Sequence, residues 1–233
     1  MALYAIGDLH LSLGADKPMD VFGGPWENYV EKIRLGFSAL HDDDVCVLCG
    51  DLAWGMTMEQ ALPDFRFIEA LPGKKILLKG NHDFWWSTAK KAYDFFEAHD
   101  MHTMDILNNN CYFYDDYAIC GTRGWFYEEA KGEAHDRKIM LREVGRLEAS
   151  LKAAGDKTKL VFLHYPPKYL GYECPEILQL LDAYHVPLCC YGHIHSRGCR
   201  SAFQGMYHDT EFRLLSADYI SFCPRRILPG NRS

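Results

Sequence analysis

Five short clusters of potential metal ligands recur along the chain. Asp8 and His10 lie in Gly7-Asp8-Leu9-His10, and Asp51 follows Gly50. Asn81, His82 and Asp83 follow Gly80, and His164 stands ahead of Tyr165-Pro166-Pro167. His193 and His195 close the series in Gly192-His193-Ile194-His195. Imidazole, carboxylate and amide oxygen suit two divalent ions, with manganese first and iron, zinc or nickel as alternatives. No cysteine occurs in any cluster, which argues against a soft thiolate site. A carboxylate has two oxygens and can bridge two metals, so one aspartate must lie centrally. Two metals about 3.5–4 Å apart can bind phosphate oxygens and activate a water for in-line attack, with no serine or cysteine nucleophile. Taken singly, each cluster has an ordinary reading, because Asp, Asn and Gly are common turn residues. Gly-His-Ile-His is the most specific, since both of its histidines can reach one centre.

The elements needed to position these residues are visible in the apolar pattern. Strands are expected at Leu3–Ile6, Val45–Cys49, Lys75–Lys79, Ala118–Cys120, Lys159–Leu163 and Val186–Tyr191. Helices are expected at about Trp26–His41, Met58–Leu71, Thr88–His99, His135–Ala154 and Pro175–Tyr184, with a β-rich tail over Arg200–Phe222. This alternation suggests an α/β fold with a central sheet. The tail and the stretch Thr103–Tyr117 are expected to add antiparallel strands. All five clusters follow the carboxyl end of an expected strand, and ligands of open α/β sheets bind there. If these strands lie parallel in one sheet, the clusters meet at one edge, where the glycines permit sharp turns. No structural requirement would put Asp, Asn and His at five strand ends together.

The bulk properties narrow the class. The chain has 233 residues, 48% of them hydrophobic, and neither repeats nor a linker-like stretch, so it reads as a single domain over 1–233. A net charge of −7 argues against non-specific binding to nucleic acid or anionic membranes. No apolar run reaches membrane-spanning length. The N-terminal residues lack the basic region of a signal peptide, so a cytoplasmic location is expected. The nine scattered cysteines form no CxxC pair and read as buried free thiols.

Together the five blocks, from residue 7 to residue 195, resemble the calcineurin-like metallophosphoesterase superfamily. The resemblance implies a four-layer α/β/β/α sandwich rather than the doubly wound sheet that the strand pattern alone suggests. It also implies a ligand set. Asp8, His10 and His195 would hold one metal, Asn81, His164 and His193 the other, and Asp51 would bridge them. His82 would face the substrate and protonate the leaving oxygen or stabilise transition-state charge. The second block, Gly50-Asp51-Leu52-Ala53-Trp54-Gly55, departs from the pattern of the protein Ser/Thr phosphatases. Trp54 stands where those enzymes place the aspartate that orients the catalytic histidine, and their arginine is missing. The third block ends in Asp83 where theirs ends in Glu, which makes Asp83 a candidate for orienting His82. Asn81-His82-Asp83-Phe84-Trp85-Trp86 and Gly121-Thr122-Arg123-Gly124-Trp125 resemble one bacterial branch of the superfamily.

Arg123 is a candidate to hold a phosphate oxygen, the other reading being a pairing with a nearby carboxylate. Asn81 and Trp125 are further substrate-contact candidates. Trp54, Trp85 and Trp86 also adjoin the blocks, but core packing is the favoured reading for these tryptophans. Lys17 and Asp20 could edge the pocket, while His135, Asp136, Arg137 and Lys138 read as a solvated first helical turn. The expected activity is hydrolysis of a phosphomonoester or phosphodiester on a small phosphorylated substrate. A nuclease is the rival enzyme, disfavoured by the acidic balance and the lack of a basic stripe. A non-catalytic scaffold would be expected to have lost ligands or His82.

Overall fold

The computed structural model describes residues 1–125 and 133–230. It contains two main sheets rather than one. The first is built from β1 (Leu3–Ile6), β2 (Val45–Leu48), β3 (Lys74–Leu77), β4 (Met104–Ile106) and β13 (Arg225–Leu228), in the order β13-β1-β2-β3-β4. The second holds β5 (Cys111–Tyr114), β6 (Tyr117–Thr122), β7 (Thr158–Leu163), β10 (Leu188–Tyr191), β11 (Gly205–Tyr207) and β12 (Thr210–Leu214), in the order β11-β12-β10-β7-β6-β5. A small hairpin pairs β8 (Lys168–Tyr169) with β9 (Tyr172–Glu173).

Strict alternation along the strands generates the layers. Leu3, Ala5, Val47, Cys49 and Ile76 point into one buried cluster together with Ile119, Leu160, Phe162, Leu188 and Cys190 of the second sheet. Their sequence neighbours Ile6, Cys46, Leu48 and Leu77 point the opposite way, into a cluster with Ile33, Phe37, Phe65 and Phe96. Those four belong to α1 (Tyr29–Phe37), α2 (Leu62–Ala70) and α3 (Ala89–Ala98). On the far side, Cys120, Val161, Leu163 and Cys189 meet Leu147, Leu151, Ile177 and Leu181, from α4 (Glu133–Ala153) and α5 (Pro175–Ala183). Because successive strand residues face opposite sides, strands buried on both faces read as continuous apolar runs. Three buried interfaces between four layers make an α/β/β/α sandwich.

The single sheet that the strand pattern alone suggests is thus replaced by the four-layer sandwich that the resemblance implies. β1, β2 and β3 run parallel in the first sheet, while β6, β7, β10 and β12 run parallel in the second. The added strands are only partly antiparallel. β5 and β11 pair antiparallel as expected, but β4 joins β3 and β12 joins β10 in parallel register. β4 follows a crossover through α3, whereas β12 follows β11 through a hairpin and inserts between β11 and β10; local periodicity records neither arrangement. The nine cysteines are free, and all but Cys111 and Cys223 are buried. Among the described residues, no helix is long and apolar enough to cross a membrane.

Candidate metal centre

The carboxyl ends of strands from both sheets are tied together at one end of the sandwich. The Gly7 amide donates to the Leu215 carbonyl at 2.8 Å, and Ala217 donates back to Gly7 at 3.0 Å, joining β1 to the segment after β12. Asp8 donates to the Gly50 carbonyl and His10 to that of Asp51, each at 2.9 Å, and Gly192 donates to that of His164 at 3.1 Å. Glycine is required where these turns touch. A Cβ on Gly80 would lie 2.0 Å from Asp51 Oδ1, and one on Gly50 would lie 2.7 Å from Gly80 Cα. Asp8, His10, Asp51 and His193 hold left-handed φ angles of 61°, 47°, 51° and 70°. Such angles cost free energy in non-glycine residues and cluster at functional sites.

The turns bring seven side chains together. Asp8, His10 and His195 each offer a ligand atom within 4.8 Å of the other two, and Asp51, His164 and His193 form a second such group. The same Asp51 oxygen, Oδ2, lies 3.7 Å from His10 Nε2 and 3.5 Å from His164 Nε2, between the two groups. Asn81 Oδ1 lies 2.6 Å from His164 Nε2, while His164 Nδ1 lies 3.0 Å from the Cys49 carbonyl. A neutral imidazole has one N–H, so only one of these two contacts is a hydrogen bond. As Asn81 is placed, the other contact sets lone pair against lone pair, which a cation between them would resolve. The donor set thus fits divalent cations.

The electrostatics point the same way. Burial pushes the His164 imidazole down to about 3. Burial, and then His195, holds His10 well below the usual histidine range. Burial raises Asp51 well above the usual carboxylate range, reinforced by Asp83 and Asp8. For Asp8, burial acts upward but is outweighed by His195, with His164 and His10 adding to it, so its carboxyl is held low. His195 shows the opposite balance: burial would lower it, yet Asp8 and Asp218 raise it to about 10. The site is a buried group of ligands poor in positive charge, apart from His195.

The remaining expected residues are placed as follows. His82 donates its backbone N–H to Asp51 Oδ1 at 2.7 Å, and its ring packs 4.4 Å from that of Trp54. Trp54 also stacks on His10 at 5.1 Å, and Lys17 lies over the Trp54 ring at 4.9 Å. The position that in protein phosphatases carries an orienting aspartate therefore packs against the histidine here instead. The Asp83 carboxylate is turned to the backbone and to the Trp85 indole. Its Oδ2 accepts from Gly80 N (2.7 Å) and Asp51 N (2.9 Å), and its Oδ1 from Leu52 N, Ala53 N and Trp85 Nε1. Asp83 instead locks the Asp51 turn to the Gly80 turn.

Arg123 lies beside the buried Glu143, its Nη2 3.6 Å from Oε1. Its Nε is buried with no hydrogen-bond partner among the described residues, and its carbonyl accepts from His164 N and Tyr165 N. Trp125 is buried beneath Arg123, packs on Tyr165, and lines a cavity of about 370 Å³ with Met140 and Tyr172. Tyr165 in turn packs 4.4 Å from His193. Trp85 is core, whereas Trp86 is only partly buried. Asp20 accepts from Asn28 N, and His135 is exposed at the start of α4.

Two residues went unpredicted. Asp218 Oδ1 lies 2.9 Å from His195 Nδ1, and its Oδ2 accepts from Ser196 N at 2.8 Å. A carboxylate on the second ring nitrogen fixes a ligating histidine's tautomer and orientation. Asp218 also follows a strand end, that of β12, which was the available signal. Trp26 packs against both His10 and His195, at 5.8 and 5.6 Å, and nothing local in the sequence marks it.

Comparison with known proteins places this geometry. Similar solved structures include a protein from Thermus thermophilus, with a TM-score of 0.59 at 16% identity over 97% of each chain. A phosphopantetheinyl hydrolase from Mycobacterium tuberculosis gives a TM-score of 0.57 at 14% identity, over 100% of this chain and 97% of that one. A protein of unknown function from Aquifex aeolicus gives 0.52 at 16% identity, over 97% and 95%. At these identities the likeness speaks for the fold. Comparison with curated proteins gives no match. The calcineurin-like phosphoesterase family matches over residues 1–197, and the chain belongs to that family.

Proposed function

We propose that the protein is a metal-dependent phosphohydrolase that cleaves a small phosphomonoester or phosphodiester at a dinuclear centre. The observation that carries this reading is the Asp51 carboxylate, one oxygen of which faces a histidine of each ligand group at 3.7 and 3.5 Å. Asp8, His10 and His195 would hold one cation, Asn81, His164 and His193 the other, and Asp51 would bridge. When bound, two divalent cations supply charge neutralisation for the phosphate and an activated water as nucleophile.

The chain's own residues do the rest. Asp83 fixes the backbone of the Asp51 turn, and the His82 amide holds the Asp51 carboxylate. Asp218 holds His195 by its outer nitrogen. His82, held by its backbone to Asp51, would present its ring to the leaving oxygen and deliver a proton there or stabilise charge. Asn81, Arg123 and Trp125 are the proposed substrate contacts.

The test is turnover of p-nitrophenyl phosphate and bis-p-nitrophenyl phosphate by protein stripped of metal and then given manganese. Manganese-dependent turnover is expected, falling by about two to four orders of magnitude in His82→Ala and lost in Asp51→Asn. Turnover that ignores metal, or that survives Asp51→Asn, would overturn the reading.

A further inference from the structure

The segment after His195 builds a second feature that the metal centre does not use. Ser196–Ser201 forms a 3-10 turn carrying Arg197 and Arg200. In a 3-10 helix, residues three apart eclipse one another, so the two arginines leave the turn on the same side. Both line a cavity of about 750 Å³ with Pro25, Gln204, Asp218 and Tyr219.

The cavity adjoins the centre on two sides. Asp218 is the carboxylate bound to His195 Nδ1, and Pro25 precedes Trp26, whose ring packs on His10 and His195. Asp218 is the single acid in the lining, and both of its oxygens are already engaged, by His195 and Ser196. Among the described residues, neither arginine side chain has an ion-pair or hydrogen-bond partner. In a molecule of net charge −7, two adjacent unpaired arginines beside the reaction centre are an anion-recognition device, since guanidinium matches phosphate bidentately. The volume lies within the range of small-molecule sites. Beyond Gln204 and Tyr219 a further cavity of about 400 Å³ continues the line with Arg225 and Arg226. The sequence suggested no basic stripe because the two pairs of arginines come to line neighbouring cavities only once the tail folds back along the sandwich.

We propose that Arg197 and Arg200 form a second anion subsite, which holds a phosphate that the substrate carries away from its scissile ester. The substrate class is then a small phosphoester with two separated phosphates. This deepens, and rests on, the phosphohydrolase reading above.

Non-hydrolysable probes test it. Manganese-loaded protein, freed of excess metal, is titrated by calorimetry with butylphosphonate and with propane-, butane- and hexane-α,ω-diphosphonate. At least one diphosphonate is expected to bind about tenfold or more tighter than the monophosphonate. The preference should vanish in the Arg197→Ala/Arg200→Ala double variant, with its manganese affinity, melting temperature and p-nitrophenyl phosphate kinetics unchanged. Equal binding of mono- and diphosphonates, or a preference that survives in the double variant, overturns the subsite. A single-stranded oligonucleotide that binds tighter than every diphosphonate overturns the small-molecule class. An arginine-dependent diphosphonate preference without any ester turnover would leave the subsite standing and sink the phosphohydrolase reading instead.

Discussion

At the scale of single residues, Asp83 shows how much of the site is backbone held in place. It is fully buried, and its two oxygens accept from four backbone amides and one indole N–H. Asp83→Asn is nearly isosteric, yet an amide can offer only one oxygen. Its NH2 would confront either Gly80 and Asp51, or Leu52, Ala53 and Trp85. We expect the metal-free variant to lose on the order of 2–4 kcal/mol in urea unfolding, since each buried donor left unpaired costs about 1–3 kcal/mol. A loss below about 0.5 kcal/mol would mean that water serves these donors instead. Asp218 makes the complementary point: it touches His195, a candidate ligand, and belongs to no motif, so only its place after β12 marks it.

At the scale of elements, the strands and helices hold one another through few polar contacts, and Lys75 is one of them. It sits in β3, fully buried, and its Nζ donates to the Leu71 carbonyl at 2.7 Å and the Glu69 carbonyl at 3.3 Å, at the C-terminal end of α2. Burial lowers its ammonium from 10.5 to about 8. Between those two values the unfolded chain binds the proton and the folded chain does not. This group's contribution to stability therefore increases as pH rises from about 8 toward 10.5 and is lost as pH falls through about 8. Denaturant unfolding of wild type and Lys75→Met at pH 7 and pH 10 checks the sign. Wild type should gain on the variant at the higher pH, and an unchanged difference would rule out a depressed lysine. The strand runs themselves were legible because they are apolar on both faces. The edge strand β13 was not, and β4, within the expected stretch Thr103–Tyr117, pairs in parallel where antiparallel was expected, since edge pairing is settled by partners distant in sequence.

At the scale of the whole molecule, the site is a junction. Asp8, His10, Asp51 and Asn81 follow strands of the first sheet, while His164, His193 and His195 follow strands of the second. A cation bound by both sets would tie the two sheets together, so loading should stabilise the fold as a unit. Binding to the native state alone contributes about 2.7 kcal/mol at a hundredfold excess over Kd. Manganese is therefore expected to raise the melting temperature in a concentration-dependent way and to keep a single transition, and a chelator should reverse the rise. His195→Ala, which removes a ligand from the second sheet only, should shrink the shift. A shift equal to that of wild type would show that the second sheet contributes no ligand through His195.

Residue types and their spacing were enough to determine the family, the candidate ligand clusters and the run of strands that carries them. Each depends on local signals: an apolar stretch, a glycine that permits a left-handed turn, and a polar atom just beyond it. Tertiary structure alone decided which strands neighbour one another in each sheet, that backbone amides and the Trp85 indole take up the Asp83 carboxylate, and that Asp218 stands behind His195. It also brought Arg197 and Arg200, and Arg225 and Arg226, to two cavities that share Gln204 and Tyr219. Those outcomes rest on contacts between segments far apart in the chain, where packing and the satisfaction of buried polar groups choose the partner and no local pattern records the choice.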